Sequence, residues 1–198
     1  MKPTEILRRE HVLIKRVLGA LAAEADRIEA KAAVDAEGLR KGITFLRSFA
    51  DRCHHGKEEV RLFPVLQAKG VGCEPGDINV LIAEHEQGRK LVRAVESSIG
   101  DAEKGQAASK ASLCGCIREY RELLTEHIRK EDDCLFPAAD RALSQSEQDE
   151  LLRAFEEFEQ KEIGPGMHEH LHALAEELIR RWTEPGVEAE QTYAQHTH

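Results

Sequence analysis

Residues 54–64 read His-His-Gly-Lys-Glu-Glu-Val-Arg-Leu-Phe-Pro, and residues 127–137 read His-Ile-Arg-Lys-Glu-Asp-Asp-Cys-Leu-Phe-Pro. The two stretches align without a gap, share six of eleven residues and lie 73 positions apart. Each contains a His-x-x-x-Glu pair, His54 with Glu58 and His127 with Glu131. Residues four apart lie on one face of a helix, so each pair can present an imidazole and a carboxylate to the same point.

A second pair of histidines follows the same repeat. His11 and His85 are each preceded by Glu and lie 74 positions apart. The duplication therefore spans roughly the first two thirds of the chain. It predicts two copies of one αα-hairpin.

The spacing of apolar residues predicts helix throughout. In the first helix Leu7, His11 and Ile14 belong to a stripe with gaps of three and four, and His85 takes an apolar slot in a third helix that opens near Asp77. The second helix is expected from about residue 37 to 68, and the fourth carries His127. All four histidines are therefore expected to point inward.

We predict an all-α fold, an antiparallel four-helix bundle over residues 1–140 built from the duplicated αα-hairpin. Pro64 and Pro137 should end or kink the second and fourth helices at matching places. Ser144 and Glu147 form a capping box that opens a broken C-terminal helix, expected to pack on the bundle over residues 141–184. Residues 185–198 are expected to form a disordered tail.

Charge and composition exclude several classes of protein. The chain has 28 Lys and Arg against 37 Asp and Glu, a formal net charge of -9, which argues against nucleic-acid binding. We find neither a signal peptide nor an apolar run long enough to cross a membrane, so we expect a cytoplasmic protein with no membrane partner. The five cysteines are expected to stay reduced and to have no metal or disulfide framework.

The inward cluster indicates a metal centre, because buried imidazoles and carboxylates need hydrogen-bond partners or a metal. Nitrogen and carboxylate donors without thiolate suit iron or manganese better than structural zinc. Six donors in two similar halves suggest two ions, each held by two histidines and bridged by the two glutamates and a solvent-derived oxo or hydroxo group. The proposed ligands are His11, His54, Glu58, His85, His127 and Glu131.

Helical register decides between neighbouring candidates. His55 is expected on the polar side of the second helix, because it lies four residues after Asp51. Glu59 and Asp132 are expected to be surface charges. The glutamates that precede three of the ligands are expected on solvated faces; they are Glu10, Glu84 and Glu126.

In these motifs the chain resembles the hemerythrin-like, or HHE cation-binding, domain family over about residues 4–140. The resemblance rests on a lone His, an H-x-x-x-E followed by Leu-Phe-Pro, a second lone His and a second such motif. It implies a non-haem di-iron centre with terminal histidines and bridging glutamates. Oxygen carriers of the family add a fifth histidine where this chain has Arg89, which predicts two similarly open irons and argues against oxygen transport.

The resemblance leaves several functions open. We expect the protein to bind or react with O2, NO or peroxide in sensing or in the oxidative or nitrosative stress response. The alternatives are iron binding or delivery without catalysis, a peroxide- or NO-consuming enzyme, and a helical interaction domain with a vestigial cluster. Signalling would require a separate protein partner, which the sequence does not identify.

Three residues outside the ligand set are candidates for contact with the ligands. Arg89 and Tyr120 lie on the inner helices, although core packing is the simpler role for Tyr120. His168 lies on the apolar stripe of the last helix, near His170 and His172.

Overall fold

The computed structural model describes residues 1–74 and 76–183, and within these ranges the chain is helical and has no β-strand. The predicted all-α fold is confirmed. The tail expected over residues 185–198 lies outside the described residues, as does residue 184.

Several helices contain π segments, in which the backbone bonds run from i to i+5. In chain order the elements are α1 (Pro3–Glu29), α2 (Ala36–Phe45), π1 (Leu46–His55), π2 (Glu58–Leu62), α3 (Phe63–Ala68), α4 (Ile78–Glu103), α5 (Ala107–Lys130), π3 (Glu131–Leu135), α6 (Phe136–Ala142), α7 (Gln145–Phe158), π4 (Glu159–Ile163) and α8 (Met167–Thr183).

Pairs of contacts between helices fix their directions. Asp26 of α1 bonds Arg118 of α5. Near the other end of α1, His11 bonds Asp132, which lies just beyond α5. From α2 and π1 to α4, Arg40 bonds Glu103 and Arg47 bonds Glu96. In each set the residue numbers rise on one helix and fall on the other. Neighbouring helices of the bundle are therefore antiparallel, as predicted.

The core consists of two apolar clusters separated by a polar layer. One cluster contains Ile14, Phe49 and Leu124, and the other contains Leu7 and Leu135. The proposed ligands lie between the two sets along every long helix of the bundle. Apolar packing above and below therefore excludes water from the polar layer.

The two prolines of the repeated Leu-Phe-Pro do not end their helices, and a π segment directly precedes the turn that contains each of them. Pro64 stands in the first turn of α3 directly after π2, and Pro137 stands in the first turn of α6 directly after π3. Proline lacks a backbone donor and crowds the preceding turn, and a wider turn accommodates both effects. Matching prolines thus coincide with matching π segments that start at Glu58 and Glu131.

The C-terminal helix is broken, as predicted. α7 opens with the capping box of Ser144 and Glu147, and the chain turns at Gly164 and Gly166, where φ is 96° and 75°. α8 then packs against both α1 and α2. It covers the groove between the two helices of the first hairpin.

Asp35 attaches α8 to the bundle. Its carboxylate caps α2 by accepting from the Gly38 backbone N–H at 3.0 Å, and it also accepts from the Trp182 indole at 3.0 Å and from Arg181. Gly38 is required here, because a Cβ at this position would lie 2.3 Å from the Asp35 carboxylate and 2.9 Å from the Trp182 ring.

We predict that Gly38→Ala lowers the free energy of unfolding by about 2 kcal/mol, because it displaces the cap and the Trp182 contact together. Trp182 is the sole tryptophan, so its fluorescence in urea titrations reports the change directly. The matched control is Gly115→Ala on α5, where a Cβ meets nothing within 4 Å. That substitution should raise the free energy of unfolding by about 0.5–1 kcal/mol. Equal effects of the two substitutions would contradict the packing argument.

The expectation that all cysteines stay reduced is wrong in this structure. Cys73, before α4, forms a disulfide with Cys134 of π3. Sequence spacing could not pair them, because they lie 61 residues apart and the αα-hairpins bring them together. Cys53, Cys114 and Cys116 are free thiols.

None of the described helices combines the length and the hydropathy needed to cross a membrane.

Candidate metal centre

The six proposed ligands converge in the polar layer of the bundle. Each of their side chains is at most 1% exposed. They come from α1, π1, π2, α4, α5 and π3, in the order His11, His54, Glu58, His85, His127 and Glu131.

The two glutamates lie between the histidines. Glu58 has one carboxylate oxygen 3.4 Å from His54 Nε2 and the other 3.5 Å from His85 Nε2. Glu131 faces His11 Nε2 at 3.2 Å and His127 Nε2 at 3.3 Å. Each carboxylate therefore faces its own helical partner and a histidine from the other hairpin, the arrangement expected of a bridging ligand.

Many donor atoms of this cluster have no hydrogen-bond partner. They include Nε2 of His11 and of His54 and all four carboxylate oxygens of Glu58 and Glu131. His85 Nε2 and His127 Nε2 lie 2.9 Å apart. Buried polar atoms without partners are costly, so the cluster fits a bound cation that would satisfy them together.

Each of these histidines directs Nδ1 toward a carboxylate, so Nδ1–H donates and Nε2 is left for a metal. The distances are 2.9 Å for His11 and Asp132, 2.8 Å for His54 and Glu10, 2.6 Å for His85 and Glu59, and 3.0 Å for His127 and Glu84. The predicted surface roles of these four acids are therefore wrong. Each acid holds one histidine ring in position.

The four acids are themselves paired with cations. Lys57 contacts Glu10, and its repeat counterpart Lys130 contacts Glu84. Arg89 Nη2 lies 2.7 Å from Glu59, and on the equivalent side Arg8 and Lys15 approach Asp132. The duplication therefore covers the ligands, the acids behind them and the cations behind the acids. The repeated Lys and Glu positions in the sequence carried this signal.

Glu126 differs from the other acids next to ligands. It is exposed and pairs with Arg129 on the same helix. This matches the solvated face expected for it.

His55 is not on the polar side of its helix. It is 3% exposed, and its ring stacks on His85 with centroids 3.8 Å apart. The register failed because π1 ends at His55, and residues in an i to i+5 turn advance by less than the 100° of an α-helix. Both His54 and His55 therefore point inward.

A cavity of about 130 Å³ reaches this side of the cluster. His55, His85 and Tyr120 line it, and Arg89 lies at its edge, where it bonds Asp51 and Glu59. Arg89 thus contacts the acid that holds His85. Tyr120 packs in the apolar core and lines the same cavity.

One of the C-terminal histidines, His168, lies beside the cluster. His168 Nε2 is 4.0 Å from Glu10, the acid behind His54, and its ring contacts Phe49 and His172. It does not reach the six ligands. His170 is exposed.

Burial and mutual contact set the charges of the metal-free cluster. Burial raises the pKa of Glu58 well above its ordinary value, and the Glu131 carboxylate adds to this effect. Burial lowers the pKa of His127, but Glu131 and Glu84 outweigh it and raise this pKa to about 9. Metal binding must displace the protons held here, so the affinity of the cluster for a cation should rise with pH.

Among the six ligands and His55, two groups of donors are close enough to hold an ion each. In one group the ligand atoms of His11, His54, Glu58 and Glu131 lie within 4.8 Å of one another, and in the other those of His55, Glu58, His85 and His127 do. Glu58 belongs to both groups. The donors are imidazole nitrogen and carboxylate oxygen with no thiolate, which suits iron.

Comparison with known proteins agrees with this geometry. The family model described as hemerythrin HHE cation binding domain matches residues 2–139. An uncharacterized protein of Mycobacterium tuberculosis, and one of Mycobacterium bovis, are each 28% identical over 161 residues, which is 81% of this chain and 62% of theirs. The chain thus spans less than two thirds of these relatives.

A further relative is the iron-sulfur cluster repair protein YtfE of Escherichia coli. It is 31% identical over 122 residues, 60% of this chain and 54% of YtfE. No solved structure matches the chain.

Proposed function

This chain belongs to the hemerythrin HHE cation-binding domain family, and from that premise we propose that it holds a non-haem di-iron centre which binds or reacts with a small ligand, O2, NO or peroxide. The physiological role would be sensing or defence in oxidative or nitrosative stress. Iron would supply one-electron chemistry and coordination positions for the small molecule. The remaining properties of the site come from residues of the chain.

One observation carries the proposal. Six buried donors from two repeated hairpins face a common centre, and in four of them the donor atoms have no hydrogen-bond partner. The two glutamates lie between histidines of different hairpins and would bridge two ions.

The residues around the donors restrict what can reach the centre. Apolar clusters enclose the polar layer above and below, and the cavity beside His85 is large enough only for small molecules. The acids behind the histidines fix Nε2 toward the centre, which keeps the donors in place as a ligand enters and leaves.

The relative named as an iron-sulfur cluster repair protein supports a role in the repair or protection of iron-sulfur clusters. It also keeps iron delivery open as an alternative function, together with turnover of peroxide or NO. The family relationship covers the metal-binding domain, and all three functions use it.

We expect protein purified under iron-replete conditions to contain about two iron ions per chain. Stopped-flow mixing of the reduced protein with O2, NO and peroxide then separates the functions. A stable reversible adduct supports binding or sensing, sustained consumption supports an enzyme, and no reaction with any of the three supports iron handling. Protein without bound iron would contradict the proposal.

A further inference from the structure

We propose that His55 is a fifth histidine ligand, which joins His85 and His127 so that one ion is held by three histidines and the other by two. This inference rests on the proposed di-iron function and adds an asymmetry to it. It replaces the expectation of two similarly open irons.

The first argument is the state of the His55 ring. The side chain is 3% exposed, Nε2 has no hydrogen-bond partner, and Nδ1 has only Asp51 Oδ1 nearby, at 3.5 Å. A buried polar group without a partner costs about 1–3 kcal/mol, so a histidine without a role at this position would be replaced at a gain by an apolar residue. Ligation of a cation would satisfy the ring.

The second argument is position. A ring nitrogen of His55 lies within 4.8 Å of ligand atoms of Glu58, His85 and His127. The ring stacks face to face on the His85 ring with an interplanar angle of 14°, so a rotation of the His55 side chain would let both rings direct a nitrogen to one ion. No movement of a helix is needed to bring His55 into the group.

The third argument is the support behind the ring. Asp51 Oδ1 lies 3.5 Å from His55 Nδ1, the same atom that the other four histidines direct toward an acid. Arg89 Nε donates to Asp51 at 2.8 Å, while its Nη2 donates to Glu59 behind His85. Arg89 therefore holds the acids of two neighbouring histidines. Oxygen carriers of the family have a fifth histidine at the position of Arg89. In this chain Arg89 instead supports a fifth histidine, His55, that comes from another helix.

The fourth argument comes from the duplication. Of the five histidines that direct Nδ1 toward an acid, only His55 has no histidine at the matching position of the other hairpin. Residues 73 positions after Asp51 and His55 are Leu124 and Ile128. Both are buried in the apolar cluster, on a helix that remains α-helical up to Lys130. The second hairpin therefore has two apolar core residues at the positions where the first hairpin has an acid and an imidazole.

Binding by His55 makes the two metal positions unequal. The position of His85 and His127 then has one histidine more than the position of His11 and His54.

The test compares iron-loaded wild type with His55→Ala, using release of ferrous iron to a chelator after reduction. In the variant one iron ion per chain should be released at least ~10-fold faster than in wild type, while the other keeps its wild-type rate. Imidazole in the buffer should slow the fast phase again, because the cavity beside His55 leads to the space of the removed ring. The control His170→Ala, on exposed α8 surface, should match wild type.

Wild-type release of both irons from His55→Ala would overturn the assignment and leave the di-iron proposal intact, whereas wild type without iron would overturn the di-iron proposal itself. Mössbauer spectra of wild type give a test that needs no variant. Two distinct iron doublets of equal area are expected, and a single doublet would contradict unequal positions even if His55→Ala does not fold.

Discussion

Replacing Glu131 by Gln is expected to reduce the iron content to less than about a tenth of the wild-type value. The Glu131 carboxylate faces His11 Nε2 at 3.2 Å and His127 Nε2 at 3.3 Å, so it serves both hairpins. Gln keeps the volume but removes the negative charge and one acceptor oxygen from a fully buried position. Loss of one bridging carboxylate should therefore weaken both metal positions.

The measurement is iron per chain after growth in iron-replete medium, with circular dichroism to verify the helices. Glu126→Gln is the matched control, because Glu126 lies on the same helix but is exposed and pairs with Arg129. It should retain full iron. If Glu131→Gln also retains about two irons, the carboxylate does not bridge them and the ligand set is wrong.

The duplicated motif was sufficient to predict the bundle and its inward layer. His11 and His85 occupy apolar slots of regular α-helices, where a period of 3.6 residues places side chains reliably. The packing of α1 against α5 and of α2 against α4 follows from the duplication. Sequence periodicity could therefore bring four histidines to one level of the core.

The same reasoning failed at His55, which lies in a π segment. His55 was placed outward because the register assumed 100° per residue, but it closes a ten-residue π segment. Nothing in the composition of residues 46–55 distinguishes the two helix types, because their difference depends on tertiary packing. The error concerned the residue that makes the two halves unequal.

The acids behind the histidines were missed for a different reason. Glu10 and Glu84 stand about 100° around the helix from the neighbouring ligand, which is a boundary position on an isolated helix. In the bundle this position faces the adjacent helix, so each acid reaches a histidine of its partner, His54 or His127. Only the pairing of helices in the structure shows which acids hold a histidine ring in position and which, like Glu126, are solvated.

The second large effect is expected at Lys57. Lys57→Met should lower the free energy of unfolding by about 3–5 kcal/mol, because it removes a cation from a buried ion-pair network. Lys57 is 0% exposed, and its ammonium contacts Glu10 and lies 2.6 Å from Glu159. Met can fill much of the space of the lysine stem, so the loss reports the charge left on Glu10 more than a cavity.

The repeat supplies the matched control. Lys130→Met removes the equivalent contact with Glu84, but both of these side chains are 17% exposed, so the free energy of unfolding should fall by only about 1 kcal/mol. The measurement is urea denaturation of each protein as purified, with iron content determined on the same samples.

A double variant identifies the cause of the Lys57 effect. Adding Glu10→Gln to Lys57→Met neutralises the carboxylate left unpaired and should recover about half of the lost stability or more. If Lys57→Met and Lys130→Met lower the free energy of unfolding equally, the burial of Lys57 by Glu159 does not contribute to stability. The predicted difference has one structural origin, because Glu159 of the C-terminal extension covers the support of His54, whereas the equivalent support of His127 remains open to solvent.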